Sequence, residues 1–147
     1  NAGGGKNLYD TELRVWGSTT SQGKDARDQC FANFFPISFG SNFPIVETST
    51  VETYEHVEAM SVGWGVTYAL KLSQKDVESC PQKDQIFAAI RTWEDARRAD
   101  AFPKEIKKML TNPSYDWRLE EGVEKDTWVL YRMIDGEKAQ SYPLKRF

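Results

Sequence analysis

The chain has 147 residues, of which 39% are hydrophobic and 28% charged, a balance that suits one globular domain with a core of its own. Its apolar runs fall far short of the roughly 18 residues a membrane-spanning helix needs. A net charge of −3 with no basic block argues against nucleic acid as the main partner.

Two cysteines, Cys30 and Cys80, permit either one disulfide across a long loop or two buried thiols, so they leave the compartment open. At the start, Asn1 and Ala2 precede three glycines; residues 1–6 read as a tag remnant or tether outside the fold. Alternation predicts a strand over residues 12–16, with Leu13 and Val15 on one face. The polar, glycine-punctuated stretch 17–28 predicts a surface loop with room for one helical turn.

In the aromatic run CFANFFPISFGSNFPIV, the alternation of Phe35, Ile37 and Phe39 predicts a buried strand with Pro36 at its beginning or on an edge. Gly40, Ser41 and Asn42 predict a turn after it. Ser49 and Glu52 have capping-box spacing for a helix whose crude apolar stripe is Val51, Tyr54, Val57 and Met60, ending near Gly63 or Gly65. Residues 66–72 alternate as a strand, and Ser73 with Asp76 caps a short helix after it.

The segment 80–102 is the firmest helix. Pro81 suits a first turn, and Ile86, Ile90, Trp93 and Ala96 share one stripe. Arg91 with Asp95, and Glu94 with Arg98, are spaced to pair on the outer face. A shorter helix follows Pro103, with Ile106, Met109 and Leu110 inward. The apolar face of the longer helix needs a partner, and the upstream strands supply one. After Pro113 the pattern changes to three short strands at 117–120, 127–133 and 139–144, with Asp135 and Gly136 at a hairpin turn. The fold class is therefore α/β: short parallel strand and helix units in residues 7–112, then a C-terminal antiparallel β-meander in residues 113–147 packed on them.

Several machines are missing from the sequence: it has no GxSxG, P-loop, GxGxxG, HExxH or CxxC motif. One histidine builds no histidine-rich metal site, and neither a metal nor a cofactor is expected. His56 follows Glu52 by one turn, a spacing open to a ligand pair or proton relay, although a solvated helix face is the plainer reading. The remaining chemistry lies in carboxylates. Asp10 and Glu12 flank the first strand and Glu47 follows the aromatic strand; glycoside hydrolysis needs two such groups about 5 to 9 Å apart. Among the tryptophans, Trp93 belongs to the core by its stripe, whereas Trp16 and Trp64 are better placed to stack on sugar rings.

The succession FFPISFG, a helix, VTYALKLS, then IFAAIRTWEDARRADAF and WRLEEGVEKDTWVLYRM resembles the last two strand-and-helix units of a (β/α)8 barrel running into a β-sandwich, as in secreted bacterial glycoside hydrolases. The resemblance implies a sugar-handling site at the carboxyl ends of the parallel strands. Glu47 and Glu12 would be its catalytic carboxylates, Trp16 its stacking platform, and Asn42 and Trp64 further substrate contacts. It also implies a carbohydrate partner and a secreted, cell-surface or periplasmic location. A whole barrel takes about 200 residues or more, so the chain would be the tail of one, completed by the rest of a longer protein or by further copies. The alternative is a small secreted α+β module that binds a ligand or a protein and catalyses nothing.

Overall fold

A computed structural model describes residues 38–147. The expected tether, the strand at 12–16 with Glu12 and Trp16, Asp10, Cys30 and the first part of the aromatic run lie outside the described residues. The elements are β1 (Ser38–Pro44), α1 (Val51–Trp64), β2 (Thr67–Lys71), α2 (Gln74–Ser79), α3 (Lys83–Arg98), α4 (Lys104–Leu110), β3 (Asp116–Glu121), β4 (Thr127–Ile134) and β5 (Glu137–Lys145). β1 and β2 pair in parallel with α1 as the crossover, and β3, β4 and β5 form an antiparallel meander in that order. The architecture is α/β with a C-terminal antiparallel meander, as the hydrophobic periods predict.

Local chemistry explains most boundaries. Ser73 Oγ accepts from Asp76 N at 3.2 Å and starts α2 where the spacing placed it. Asp135 and Gly136 carry φ values of 51° and 79°, the two positive angles that a tight hairpin turn between β4 and β5 requires. α1 ends on Gly65 in the left-handed region at φ 68°. There Gly65 N donates to Val62 O at 3.2 Å and Val66 N to Ser61 O at 2.9 Å, so the last carbonyls of the helix are satisfied as the chain turns into β2.

Three expected boundaries differ. α3 spans Lys83–Arg98 with Gln82 as its N-cap, so Pro81 precedes the helix instead of sitting in its first turn. α1 is capped by Thr50, whose Oγ1 accepts from Thr53 N, because Ser49 Oγ is already taken by Val46 N at 2.9 Å; Glu52 is exposed and closes no capping box. The turn expected at Gly40, Ser41 and Asn42 is part of β1. Its pairing with β2 shifts register between Ser38 and Asn42, and that irregularity absorbs the turn-forming residues without ending the strand.

The core has two clusters, and α3 belongs to both. Ile86 packs with Phe43 and Ile45 of the β1 region and with Tyr54, Val57 and Met60 of α1. Trp93 and Ala96 pack with Phe102, Leu110 and the inward residues of the meander, among them Trp117, Leu119, Trp128 and Leu130. Trp93 is fully buried and stacks on Phe102 with ring centroids 5.6 Å apart. Burying side chains of this size stabilises the fold by about 1.5–3 kcal/mol each. The helix that the sequence sets against the upstream strands thus spends its tryptophan half against α1, α4 and the meander instead.

The larger correction concerns α1. Its sequence suggests a stripe, yet every residue from 53 to 62 is buried, because α3, α4, β2 and β3 all pack around it. His56 is only 2% exposed, where a solvated face was expected. α1 is the central strut of the molecule, and the polar residues it carries inward define the site.

Candidate functional site

Glu55 and Glu58 stand about one turn apart on α1 and both are withdrawn from solvent. Few carboxyl groups are buried this deeply unless something holds them. The two are held differently.

Glu55 Oε2 accepts from Trp93 Nε1 at 2.6 Å and from Leu119 N at 3.2 Å. Leu119 lies on β3, the edge strand of the meander, and its N–H points away from β4; a carboxylate from α1 therefore satisfies an edge donor that would otherwise be buried without a partner. Burial pushes the Glu55 carboxyl up to about 7, with the Trp93 and Leu119 hydrogen bonds and the nearby Arg118 charge pulling the other way. The same carboxyl lines an open groove of about 700 Å³ between α1, α3 and β3, shared with Glu52, Gln82, Gln85, Thr92 and Arg118.

Glu58 is fully buried, and its surroundings are acidic. Oε1 accepts from the Tyr68 hydroxyl at 2.6 Å, and Glu94 of α3 lies against the carboxyl. Oε2 is buried with no protein N–H or O–H in reach. Two carboxyl groups in contact form a hydrogen bond only when one keeps its proton, and burial, reinforced by the Glu94 charge, pushes Glu58 up to about 9. Burial likewise raises the Tyr68 phenol, so the hydroxyl stays a donor.

Arg97 closes the constellation. Its Nη1 donates to Val66 O at 3.1 Å, its Nη2 to Ser61 Oγ, and its Nε lies 3.7 Å from Glu94 Oε1. On the outer face of α3, Arg91 pairs with Asp95 at 4.0 Å as expected. Arg98 also reaches Asp95, at 3.1 Å, rather than pairing with Glu94. The reason is positional: Glu94 faces the recess, where Arg97 is on the same side and Arg98 is not. Glu58, Glu94, Tyr68 and Arg97, with the apolar Leu70 and Ile90, line a recess of about 330 Å³. Glu58 forms its floor, while Tyr68, Glu94 and Arg97 are only partly buried and form its rim.

The residues singled out from sequence sit elsewhere. Glu12 and Trp16 lie outside the described residues. Asn42 is in β1, opposite Ala69 of β2. Glu47 is exposed on the turn after β1, and Trp64, the last residue of α1, is half-buried against the β1 cluster with its Nε1 unpartnered. Neither Glu47 nor Trp64 lines the recess or the groove. Cys80 is a free, buried thiol whose Sγ donates to Ser49 O at 3.6 Å. Among the described residues, no group of three or more His, Cys, Asp or Glu side chains converges in a way that would hold a metal ion, and no helix is long and apolar enough to cross a membrane.

Glu55, Glu58, Tyr68, Glu94 and Arg97 carry no motif. The available signal was indirect: three glutamates at three-residue spacing, Glu52, Glu55 and Glu58, interleaved with Tyr54, Val57, Ala59 and Met60, followed closely by a strand whose tyrosine could face the helix. No family model, no curated protein and no solved structure matches this chain.

Proposed function

We propose that this chain is a small-ligand-binding α/β module whose site is the Glu58 recess. One observation carries the reading: a carboxyl group with no solvent exposure forms the floor of a recess, and one of its oxygens has no protein donor. Such a group costs stability when ionised unless something else fills its hydrogen-bonding capacity, and buried groups with displaced proton affinities gather at functional sites. The recess has the make-up of a small-molecule pocket, with apolar walls from Leu70 and Ile90 and a few convergent polar groups, and its size is at the lower end of that range. The touching pair of carboxyls is too close for glycoside hydrolysis, which needs about 5 to 9 Å between them.

The test is a panel of small alcohols, amines, carboxylic acids and monosaccharides titrated into 15N-labelled protein. At least one class should move the amide signals of Tyr68, Leu70, Ile90 and Arg97 together and saturably. A panel that leaves those four signals unmoved removes the reading.

The groove beside Glu55 favours a second reading, the carbohydrate-active one implied by resemblance to the tail of a (β/α)8 barrel. A carboxyl that titrates near neutrality is suited to act as a general acid, and Gln82, Gln85, Thr92 and Arg118 offer hydrogen bonds to sugar hydroxyls along an open cleft. In that reading Glu55 joins Glu47 and Glu12 as a catalytic candidate, and further strands complete the barrel. Hydrolysis of aryl glycosides by the wild type, lost at least a hundredfold in Glu55→Gln or Glu47→Gln, is the expected result. Activity undiminished in both variants eliminates these roles.

A further inference from the structure

We infer that the ligand of the Glu58 recess is a small organic monocation, a primary ammonium with a short apolar body, which takes the place of the proton shared by Glu58 and Glu94. This rests on the recess being the binding site.

The inference comes from counting charge and hydrogen-bond partners. Facing Glu58 across the recess are Tyr68 from β2 and Glu94 and Arg97 from α3, and Tyr54 on α1 itself lies close to Tyr68. With both carboxyls ionised, the recess holds two negative charges and the single positive charge of Arg97. That leaves one negative charge uncompensated beneath apolar walls, a state too costly to persist. In the free protein a proton on Glu58 removes it, in keeping with its high proton affinity. A bound monocation removes it equally well.

Arg97 offers little to an anion. Its two terminal nitrogens are engaged by Val66 O and Ser61 Oγ, and its Nε, which makes no hydrogen bond, lies 3.7 Å from the Glu94 carboxylate that balances its charge. Once Glu58 ionises, its Oε2 is an acceptor with no protein donor and calls for an N–H or O–H. An ammonium group brings three donors and a charge, enough for Glu94 at the rim and, once a rim side chain gives way, for the enclosed Oε2. The Tyr68 ring borders the same space, and an aromatic ring is a favourable neighbour for a cation. Leu70 and Ile90 leave room for a few carbons and no further charge. On binding, the Glu58 proton leaves to solvent and the N–H···O bonds replace the carboxyl–carboxylate hydrogen bond.

Isobutylamine and its neutral counterpart isobutanol separate the possibilities. Titration calorimetry in phosphate and in HEPES, whose ionisation heats differ, should show close to one proton released per isobutylamine bound. Its affinity should rise about tenfold per pH unit between pH 6.5 and 8.5. Glu58→Gln keeps the shape of the protonated side chain but cannot ionise, and should lose isobutylamine binding by tenfold or more. Glu94→Gln, which also removes one negative charge, should do the same. Amide spectra of both variants verify that they are folded. If isobutanol binds at the recess as tightly as isobutylamine, or if the amine binds there without proton release, the monocation is wrong while the recess remains the site. If neither compound, nor any other member of the panel, moves the signals of Tyr68, Leu70, Ile90 and Arg97, the site itself is wrong.

Discussion

The two long helices of this chain are built on opposite plans. α3 is amphipathic: Ile86, Ala89, Trp93 and Ala96 face inward while Arg91, Asp95 and Arg98 pair outside. α1 is enclosed on all sides, yet it carries Thr53, Glu55, His56, Glu58 and Ser61 into the interior. A helix buried all round would normally be apolar all round. Where it is not, each polar group needs a partner, and those of Glu55 and Glu58 come from β2, α3 and β3. The difference teaches that α3 supplies cohesion through one face and lends Glu94 and Arg97 to the rim of the recess, whereas α1 supplies its buried carboxyl floor.

The strongest way to break this division is through Trp93. Trp93→Ala empties a fully buried position, removes the stack on Phe102 and strips Glu55 of its shortest hydrogen bond. A loss of about 3–5 kcal/mol in urea unfolding is expected. A loss under 1 kcal/mol would show that α3 is not the cohesive helix.

The pH dependence of stability sharpens the role of α1. Glu55 and Glu58 are raised in the folded chain from an ordinary value of 4.5 to about 7 and about 9. The folded state then holds more protons than the unfolded state between those limits, so stability falls as pH rises. The stabilisation is complete below about pH 4.5 and is lost as pH climbs through 7 and then 9. Each group contributes a slope of up to about 1.4 kcal/mol per pH unit within its own window. Urea midpoints at pH 5, 7 and 9 should decline for the wild type, and Glu58→Gln should flatten the upper part of the curve. A wild-type midpoint that rises from pH 5 to 9 would contradict the burial of these carboxyls in their protonated form.

The smallest effect belongs to the outer face of α3. Arg91 is largely exposed and 4.0 Å from Asp95, so Arg91→Ala should change stability by less than about 0.5 kcal/mol. A larger change would mean that this face is not simply solvated.

Much of the fold was legible because short-range physics sets it. The meander declared itself through alternation and the Asp135–Gly136 turn. α3 declared itself through its stripe, and α2 through Ser73 and Asp76. The site was not legible, for a reason visible in particular residues: Glu58 looks like any helix glutamate until Tyr68, Glu94 and Arg97, 10 to 39 positions later in the chain, are brought beside it. Glu47, by contrast, looked prominent because it follows an aromatic strand, and it turned out exposed on a turn.

Hydrophobic period and turn chemistry, properties of neighbouring residues, determined by themselves that this chain alternates strands and helices and closes with a hairpin meander. Which helix would be enclosed, which carboxyl would keep its proton, and that Glu94 would turn to Arg97 were decided only when α3, β2 and β3 closed around α1. Desolvation and charge proximity are sums over everything nearby in space, and sequence order does not contain them.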